Sequence, residues 1–323
     1  MTNHPLAELA AKLESRPVLV TGASGGIGRR LVQVLSESPV PVRVLLRQDR
    51  LSGAETARGD LTRPETLAGA CSGIHTIFHL ASYSPAKGDP RPEEHPLHQQ
   101  VTVEGTRNLL RVARSTGVER IVFASSTRVL DGSTTLYAQS KRSAEKLLSE
   151  SPISTAVLRL PPVYVFTRRG FVAEMLEKAL AGRLPPFPDF GDRRSLVHLD
   201  DAVQSLLLAA LAPGLNGSWT VTDLQDYSIH RISEAILTAL GKEPGRPWPP
   251  VVFHIAALAG EVLQRLLHRP MPLDLERLDK LRRPAWFDGA PFAEAAGYRP
   301  LYTLEKALPR MLAMLAQESD DAS

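Results

Sequence analysis

The sequence predicts an α/β protein with a Rossmann-like, doubly wound parallel sheet, and three observations support this fold class. Strand-like and helix-like runs alternate from residue 17 to about 160. A glycine-rich turn follows the first strand, at 21–28, and a second strand arrives at 42–46. Alternation of this kind predicts a parallel sheet covered by helices on both faces, and right-handed crossovers fix its doubly wound order. Ligands of such sheets bind at the carboxyl ends of the strands.

The strands of the main sheet are predicted from short apolar runs rich in β-branched residues. They are expected near residues 17–21, 42–46, 57–59, 75–80, 119–125 and 154–160. After Pro161 the pattern changes. The elements predicted there are a helix near 171–182, a strand at 195–198, a helix at 200–212 and a strand at 218–221. The last of these strands is expected to return to the main sheet.

A smaller C-terminal substrate lobe is therefore predicted to be interleaved with the main domain rather than appended to it. The predicted boundaries are an N-terminal extension at 1–16, a dinucleotide-binding domain at 17–165 with returning segments near 195–222, a substrate lobe at 166–194 and 223–315, and a tail at 316–323. The stretch from Tyr83 to His98 is rich in proline, histidine and charge, which predicts a loop over the site.

Composition and charge restrict the classes of function. The 323 residues, 43% of them hydrophobic, can bury a full core, and the net charge of +3 is too small to predict nucleic-acid binding. The single Cys71 has no partner for an internal disulfide, and no Cys/His cluster predicts a metal site. Charged residues interrupt the apolar positions of 1–16, so no signal peptide is predicted and a cytoplasmic location is expected.

The most apolar later segment, 251–267, is predicted to be a buried amphipathic helix rather than a membrane span. Polar and charged residues interrupt it, Glu261 among them, which argues against insertion into a membrane. A membrane-surface role for the side that carries Phe253, Leu258 and Leu263 is the weaker alternative.

The turn after the first strand has the pattern of a dinucleotide cradle. Its glycines allow a tight turn, close approach to a pyrophosphate and close packing of the helix on the strand, while the helix N-terminus offers free N–H groups to the phosphates. The residues predicted to contact a cofactor here are Gly22, Ser24, Gly25, Gly26, Ile27 and Gly28. A nicotinamide dinucleotide is therefore the expected cofactor.

Arg47, directly after the second strand, occupies the position that reads the ribose of such a cofactor. An acidic residue there would bind the ribose hydroxyls of NAD, whereas an arginine suits the extra 2′-phosphate of NADP. The prediction is NADP or NAD, with NADP preferred; the alternative is that Arg47 is a solvated strand-end arginine. Asp60 and Leu61, after the next strand, are expected at the adenine end with either cofactor.

Tyr137 and Lys141 stand four residues apart in a strongly helical stretch, so their side chains share one face. An ammonium group near the phenol, together with the positive charge of an oxidised nicotinamide, would lower the tyrosine pKa toward the range for proton transfer. Ser126, at the end of the preceding strand, lies at the sheet edge where the nicotinamide is expected and suits hydrogen bonding to the reacting substrate oxygen. Thr127 is the fallback for Ser126.

These residues together resemble the short-chain dehydrogenase/reductase superfamily, and the rest of the chain is similar to its extended branch, the NAD-dependent epimerase/dehydratase family. The matching motifs are Thr-Gly-x-x-Gly-x-x-Gly at 21–28, His79-Leu80-Ala81-Ser82, Gly105-Thr106-Arg107-Asn108-Leu109-Leu110, Tyr137-x-x-x-Lys141, Leu158-Arg159-Leu160-Pro161 and Arg194-Ser195-Leu196-Val197-His198-Leu199-Asp200-Asp201. The resemblance covers nearly the whole chain, and the chain length and the last motif favour the extended branch.

The resemblance implies that Ser126 positions the substrate, Tyr137 exchanges the proton, and Lys141 binds the nicotinamide ribose and lowers the Tyr137 pKa. Further cofactor contacts are implied for Leu80, Ala81, Ser82, Pro161 and Val163. Substrate contacts are implied for Ser82, Thr127, Arg194 and His198, although bracing of the structure is the favoured role of His198. Dimers through helices of the main sheet are common among such relatives, so a homodimer is expected.

The implied function is epimerase or dehydratase action on a nucleotide sugar, with hydride transfer between a substrate carbon and the nicotinamide. The alternative is NADPH-dependent reduction of a carbonyl on a bulky compound, of the dihydroflavonol-reductase or hydroxysteroid-dehydrogenase type. Arg47 favours the alternative, as does the short spacing of eleven positions between Ser126 and Tyr137. A second alternative is a regulator that binds NADP without catalysis, because the fold alone does not establish chemistry.

Overall fold

The structure, a computed structural model, describes residues 5–48, 53–84, 95–164, 170–269, 271 and 273–321, with side chains as far as residue 315. The chain divides into two compact units. The first comprises Met1–Pro161, Leu199–Val221 and Gly289–Arg299, and the second comprises Pro162–His198, Thr222–Asp288 and Pro300–Ser323. Most of the loop that the sequence predicts between Tyr83 and His98 lies outside the described residues.

A parallel sheet of seven strands organises the first unit. The strands of the chain are β1 (Val18–Thr21), β2 (Val42–Leu46), β3 (Glu55–Arg58), β4 (Thr76–His79), β5 (Arg120–Ser126), β6 (Ser154–Leu160), β7 (Val163–Tyr164), β8 (Val197–His198) and β9 (Gly217–Thr220). The sheet has the order β3-β2-β1-β4-β5-β6-β9, and every neighbouring pair in it is parallel. The predicted doubly wound parallel sheet is confirmed, including the return of β9.

Helices connect these strands at nearly the predicted positions. They are α1 (Pro5–Ala11), α2 (Gly26–Ser36), α3 (Ala68–Cys71), α4 (His95–Leu97), α5 (Gly105–Ser115), α6 (Leu136–Ser149), α7 (Phe171–Leu180), α8 (Leu199–Leu211), α9 (Ile229–Ala239), α10 (Pro250–Leu267), α11 (Leu275–Arg282), α12 (Ala290–Ala296) and α13 (Leu304–Asp321). A π-helical segment, His98–Glu104, leads into α5, and short 3₁₀ turns lie at Pro64–Thr66 and Thr127–Val129.

The main sheet is buried on both faces, as expected for parallel strands with continuous apolar runs. All three apolar residues of β1 are inaccessible to solvent. One face packs on α3, α5 and α6 through a single apolar cluster that includes Leu19, Ile77, Ile121, Leu109 and Leu148. The other face is covered by α2 and α8, which pack on each other and on the strands.

The helix α1 packs within the first unit, whereas the sequence analysis placed residues 1–16 in an N-terminal extension. Leu6, Ala10 and Leu13 are buried, and α1 packs on both α2 and α8. Their spacing of four and three residues places them on one helical face, which is the pattern of a helix with a packing partner. The N-terminal helix therefore belongs to the first unit.

The C-terminal part of the chain also contributes to the first unit. The sequence placed Gly289–Arg299 in the substrate lobe, but Phe292 of α12 is fully buried beside Trp219 of β9 and Tyr298. The predicted tail from residue 316 continues α13 as far as Asp321. These corrections follow from contacts between residues distant in the sequence, which local patterns do not reveal.

Arg120 at the start of β5 fixes the segment that returns to the sheet after α8. Its guanidinium is buried and donates to the carbonyl oxygens of Ala209, Ala212 and Leu215 at 2.7 to 3.1 Å. It also donates to Asn216 Oδ1 at 2.9 Å. A cation at the carboxyl end of a helix interacts favourably with the helix dipole, and the oxygens replace the water that the buried charge has lost.

The second unit is built from α7, α9, α10, α11 and α13 beside the short parallel pair of β7 and β8. A buried carboxylate lies in its core, where Asp223 accepts hydrogen bonds from Tyr227 at 2.7 Å and Tyr164 at 3.3 Å. The Tyr227 hydroxyl in turn accepts from the N–H of Leu304 at 3.0 Å. Burial raises the pKa of Asp223 to about 6 despite these donors.

The helix α10 is not the buried helix that the sequence predicts. It is amphipathic, but only Phe253, Ala257 and Gly260 are buried, and large apolar side chains on the rest of its surface are exposed. Among the described residues it is the one helix long and apolar enough to cross a membrane, and 17% of that stretch is buried. Leu258 and Leu263, from the alternative membrane-facing side, are exposed, whereas Phe253 is not.

The order of the strands places a topological switch at β1. Its neighbours are β2 on one side and β4 on the other, so the chain builds the sheet outward in both directions from this strand. Ligands of doubly wound sheets bind beside the carboxyl ends of the strands at such a point. The turn between β1 and α2 lies there, and a Cβ on Gly28 in this turn would be 2.2 Å from the carbonyl oxygen of Gly22.

Gly28→Ala is therefore expected to destabilise the first unit. Backbone atoms block the new methyl group, so β1 and α2 must separate, at a cost of about 1–3 kcal/mol. Gly26→Ala is the matched control, because a Cβ at Gly26 meets nothing within 4 Å. Urea unfolding of both variants measures the difference. Equal stability of the two variants would show that the close packing at Gly28 does not matter.

Candidate active site

The turn after β1 has the geometry of a phosphate cradle. Gly22 has a φ of +71°, and a Cβ there would lie 2.6 Å from the backbone nitrogen of Ala81, so only glycine fits. Gly25 caps the start of α2 without a side-chain hydrogen bond, and Ser24, Gly25 and Gly26 are exposed. The free N–H groups of the helix start, including that of Ile27, are thus accessible to an anion.

Gly22 approaches a segment that the sequence also assigned to the cofactor. Leu80, Ala81 and Ser82 follow β4 directly, and the backbone N–H of Leu80 donates to the carbonyl oxygen of Thr21 at 3.2 Å. The carboxyl ends of β1 and β4 therefore form one continuous wall at the switch point. A dinucleotide fits these residues, because the positions of closest approach have no side-chain atoms.

A buried hydrogen-bond relay, the His79 relay, holds this wall in place. It consists of Thr21, His79, Thr102 and Thr106. Thr106 Oγ1 lies 2.6 Å from the carbonyl oxygen of Thr102 and must donate to it, so it accepts from His79 Nε2 at 3.0 Å. His79 Nδ1 then accepts from Thr21 Oγ1 at 2.7 Å. The histidine is neutral, because burial lowers its pKa to about 3.

Three of the predicted residues lie at the far end of the proposed dinucleotide site. Arg47 is exposed directly after β2, and among the described residues no hydrogen bond or ion pair engages its guanidinium. Asp60 accepts from the backbone N–H and the hydroxyl of Thr62 at 2.9 Å each. Leu61 is buried, and its carbonyl oxygen accepts from Asn108 at 2.9 Å. Arg47 is thus available to a ligand, whereas Asp60 shapes its own turn.

Ser126 and Tyr137 are brought together at the carboxyl edge of β5. Ser126 ends this strand, and Tyr137 lies in the first turn of α6, where Thr135 caps the helix by accepting from Ala138 at 3.3 Å. The Ser126 hydroxyl lies near enough to the Tyr137 phenol to lower the pKa of that phenol. The predicted pair of hydroxyls therefore forms one unit, as a shared contact with a substrate oxygen requires.

Lys141 lies one helical turn after Tyr137 and is almost completely buried, at 2% exposure. Its ammonium donates to the carbonyl oxygen of Ala124 at 2.7 Å and lies 4.5 Å above the ring of Phe123. Burial lowers the pKa of Lys141 to about 7, although the charge of Glu145 opposes this shift. The lysine thus ties α6 to β5 behind the hydroxyl pair.

The lowering of the Tyr137 pKa by Lys141 together with a bound oxidised nicotinamide stays a prediction, and the protein's own groups act on this pKa in both directions. Burial raises it, and the Ser126 hydroxyl and the charge of Arg128 lower it, whereas Lys141 does not contribute. The reason is that the Lys141 ammonium is held at Ala124 and has itself lost much of its affinity for a proton. Tyr137 is therefore protonated in this environment, which suits it to donate a proton.

A buried carboxylate, missed by the sequence reasoning, clamps the same helix to the sheet. Glu145 of α6 accepts from Arg159 Nη2 at 2.6 Å and from Ser125 at 2.6 Å. Arg159 lies in β6 and Ser125 in β5, so one side chain links three elements. The sequence contains a signal for this contact, because Glu145 follows Lys141 by four residues and therefore lies on the same, buried face of the helix.

Three further residues predicted for the site, Thr127, Pro161 and Val163, lie in the segments that follow β5 and β6. Thr127 is buried in the 3₁₀ turn after β5, and Pro161 is buried at the end of the first unit. Val163 belongs to β7 of the second unit, so its contact with a cofactor stays a prediction.

Arg194 and His198 both support the second unit. Arg194 donates to Asp192 at 2.8 Å and to the carbonyl oxygen of Leu281. The ring of His198 is buried between those of Tyr164 and Tyr302, with centroids 5.3 and 4.2 Å away. These contacts agree with bracing as the favoured role of His198, and substrate binding by either residue stays a prediction.

Comparisons with known proteins agree with this architecture. The model of the NAD dependent epimerase/dehydratase family matches residues 18–220. A 2-alkyl-3-oxoalkanoate reductase of Stenotrophomonas maltophilia (strain K279a) is 25% identical over 93% of this chain and 99% of its own. The N-acetyl-alpha-D-glucosaminyl-diphospho-ditrans,octacis-undecaprenol 4-epimerase of Escherichia coli O157:H7 is 24% identical over 91% of this chain and 94% of its own.

The solved structure of MoeE5 in complex with UDP-glucose and NAD has the same fold. It superposes with a TM-score of 0.71, covers 94% of this chain and 99% of its own, and is 22% identical. Since the family model covers more than half of the chain, and the cradle, the wall and the hydroxyl pair lie where such a fold places them, the chain belongs to the NAD dependent epimerase/dehydratase family as an enzyme of the extended short-chain dehydrogenase/reductase type.

Proposed function

We propose that this enzyme acts on a hydroxyl or carbonyl carbon of a nucleotide sugar, as an epimerase or dehydratase that uses NAD(P). One observation carries the proposal. The neighbouring hydroxyls of Ser126 and Tyr137 lie with Lys141 at the same sheet edge as the phosphate cradle. A bound nicotinamide dinucleotide supplies a hydride donor or acceptor there.

The protein's own groups would divide the remaining work. Ser126 holds the reacting oxygen of the substrate, and Tyr137 moves a proton at its phenol oxygen to or from that atom. Lys141 has three N–H donors, of which Ala124 takes one, so the others can hydrogen-bond the ribose of the cofactor. The cradle residues and the segment after β4 would hold the pyrophosphate and fix its position relative to Tyr137.

The choice of a nucleotide sugar rests on similarity. The MoeE5 structure holds UDP-glucose, whereas the Escherichia coli epimerase is named for a sugar joined through a diphosphate to undecaprenol, a lipid; both span nearly the whole chain. Incubation of the purified protein with NAD and UDP-hexoses, followed by NMR of the products, tests the proposal. An inverted or dehydrated sugar would support it. Oxidation of NADPH with a ketone substrate, and no change in the sugars, would replace it with the second candidate.

The second candidate is NADPH-dependent reduction of a carbonyl on a bulky compound. The exposed guanidinium of Arg47 favours it, because a 2′-phosphate would bind there and NADPH suits net reduction. The raised pKa of Tyr137 also fits, since the phenol would donate a proton to a carbonyl oxygen. The Stenotrophomonas maltophilia relative is named for a reduction of this class.

Tyr137→Phe is expected to reduce kcat by about 100- to 10,000-fold, the usual contribution of a general acid or base. Cofactor affinity should stay nearly unchanged, because the cradle and Lys141 are intact. Turnover and calorimetric titration of the cofactor measure the two quantities. If both fall equally, Tyr137 holds the cofactor instead of moving the proton.

Arg47→Ser is expected to weaken NADPH binding by roughly tenfold to a hundredfold, the value of a charge-assisted hydrogen bond, and to leave NADH binding unchanged. Arg111→Ser is the matched control, since Arg111 is exposed on α5. Calorimetry with both cofactors provides the test. Tighter binding of NADH than of NADPH by the unaltered protein would contradict a 2′-phosphate site at Arg47.

The lowered pKa of Lys141 predicts a pH dependence of stability. Below about pH 7 Lys141 is charged in both the folded and the unfolded protein, so the whole cost of burying its ammonium lowers the free energy of unfolding. Between about 7 and the ordinary 10.5, the folded protein releases a proton that the unfolded chain keeps, so the free energy of unfolding rises by up to about 1.4 kcal/mol per pH unit.

Lys141→Met should remove this rise, whereas Lys146→Met, on the exposed side of the same helix, should keep it. Urea unfolding of the three proteins at pH 7 and pH 9 measures the slopes. A slope in Lys141→Met equal to that of the unaltered protein would show that Lys141 titrates normally.

A further inference from the structure

The surface of α10 divides into a packing face, an exposed apolar face and a polar edge that carries Glu261 and Arg265. Phe253, Ala257 and Gly260 form the face that packs on the second unit. A Cβ on Gly260 would lie 1.9 Å from the carbonyl oxygen of Leu273, so α10 and the chain before α11 are in direct backbone contact. This close approach fixes the rotation of α10 about its own axis. The other faces are consequently held toward solvent.

One of those faces is a continuous apolar surface, here named the α10 stripe. Its members are Val251, Ile255, Leu258, Val262 and Leu266, and all of them are exposed. They recur at spacings of four and three residues, which aligns them along a single side of the helix. Ile255 and Leu266 are 62% and 71% exposed. Exposed apolar patches of this kind mark interaction sites in soluble proteins.

The charges around the stripe have one predominant sign. From Pro244 to Pro272 the sequence contains three arginines, at 246, 265 and 269, and one acidic residue, Glu261. Arg246 precedes the helix, and Arg269 follows it, so positive charge flanks both ends of the stripe. Trp248, exposed beside Arg246, adds an amphipathic ring of the type that prefers the boundary of a lipid bilayer.

The size of the stripe distinguishes between partners. At about 1.5 Å per residue the 18 residues of α10 span about 27 Å, and one helix is about 10 Å wide. A standard protein interface buries roughly 800 Å² of accessible surface on each partner and therefore extends over more surface than one helix face. An apolar helix face with arginines at its edges is instead the pattern of a helix that lies in the plane of a membrane surface.

We propose that the α10 stripe docks the enzyme on the surface of an anionic lipid bilayer. The apolar side chains enter the boundary of the acyl region, and the arginines contact lipid phosphates. The helix does not cross the bilayer, because its packing face and its polar edge, with Glu261 and Arg265, would then lie in hydrocarbon. This inference holds for either candidate function.

The test is flotation of the full-length protein with vesicles of phosphatidylcholine, with or without about a third of phosphatidylglycerol, where the anionic lipid supplies the charge. Binding should be several-fold stronger to the anionic vesicles. The double variant Ile255→Ser/Leu266→Ser should lose binding at least tenfold. Leu180→Ser is the matched control, because Leu180 is 50% exposed on α7, outside the stripe.

Two further measurements keep the proposal falsifiable. Urea unfolding should be unchanged in the double variant, since both replaced side chains are exposed. Alkaline carbonate should release the bound protein, whereas resistance to it would overturn surface docking in favour of a spanning helix. Equal binding of the double variant would remove the stripe from the contact. A dimer in sedimentation that dissociates in the double variant, without vesicle binding, would assign the stripe to a second copy of the chain.

Discussion

The site depends on one steric constraint, the contact between the turn after β1 and the chain after β4. Gly22 and Gly28 leave no space for a side-chain atom, and the His79 relay connects the end of β1 with the π-helical segment before α5. Every donor and acceptor in the relay has a partner, so it has a single proton arrangement. The cradle is therefore rigid before any ligand arrives, which reduces the ordering that binding requires.

The proposed catalytic groups are fixed by a different set of contacts, between α6 and the strands β5 and β6. Lys141 reaches Ala124, and Glu145 holds Arg159, so the helix carries two buried charges that are each paired or hydrogen-bonded. Removal of Arg159 would leave the Glu145 carboxylate uncompensated in the core. The cost of this arrangement is visible in Lys141, whose pKa falls to about 7 because burial outweighs the nearby carboxylate.

Local patterns were sufficient for the sheet, for the glycine turn after β1 and for the position of Ser126 and Tyr137 at one sheet edge. In each case the relevant neighbours lie at strand ends of a parallel sheet, where the fold class itself brings them together. The burial of α1 and the exposure of α10 could not be predicted in this way. Both helices have apolar faces, and periodicity identifies such a face without showing whether another element covers it. The position of the Lys141 ammonium could not be predicted either, since it depends on the carbonyl oxygen of Ala124.

The exposure of α10 bears on the choice between the two candidate functions. A nucleotide sugar is highly soluble and gains nothing from an enzyme held at a bilayer. A bulky apolar carbonyl compound partitions into lipid, so an enzyme docked there meets it at a much higher local concentration. Arg47 and the protonated Tyr137 favour the same candidate, from residues in the other unit of the chain. Vesicle binding through the α10 stripe would therefore favour a lipid-borne substrate over a free nucleotide sugar. Such a substrate is either an apolar carbonyl compound or a sugar carried on a lipid diphosphate, of the kind for which the Escherichia coli epimerase is named.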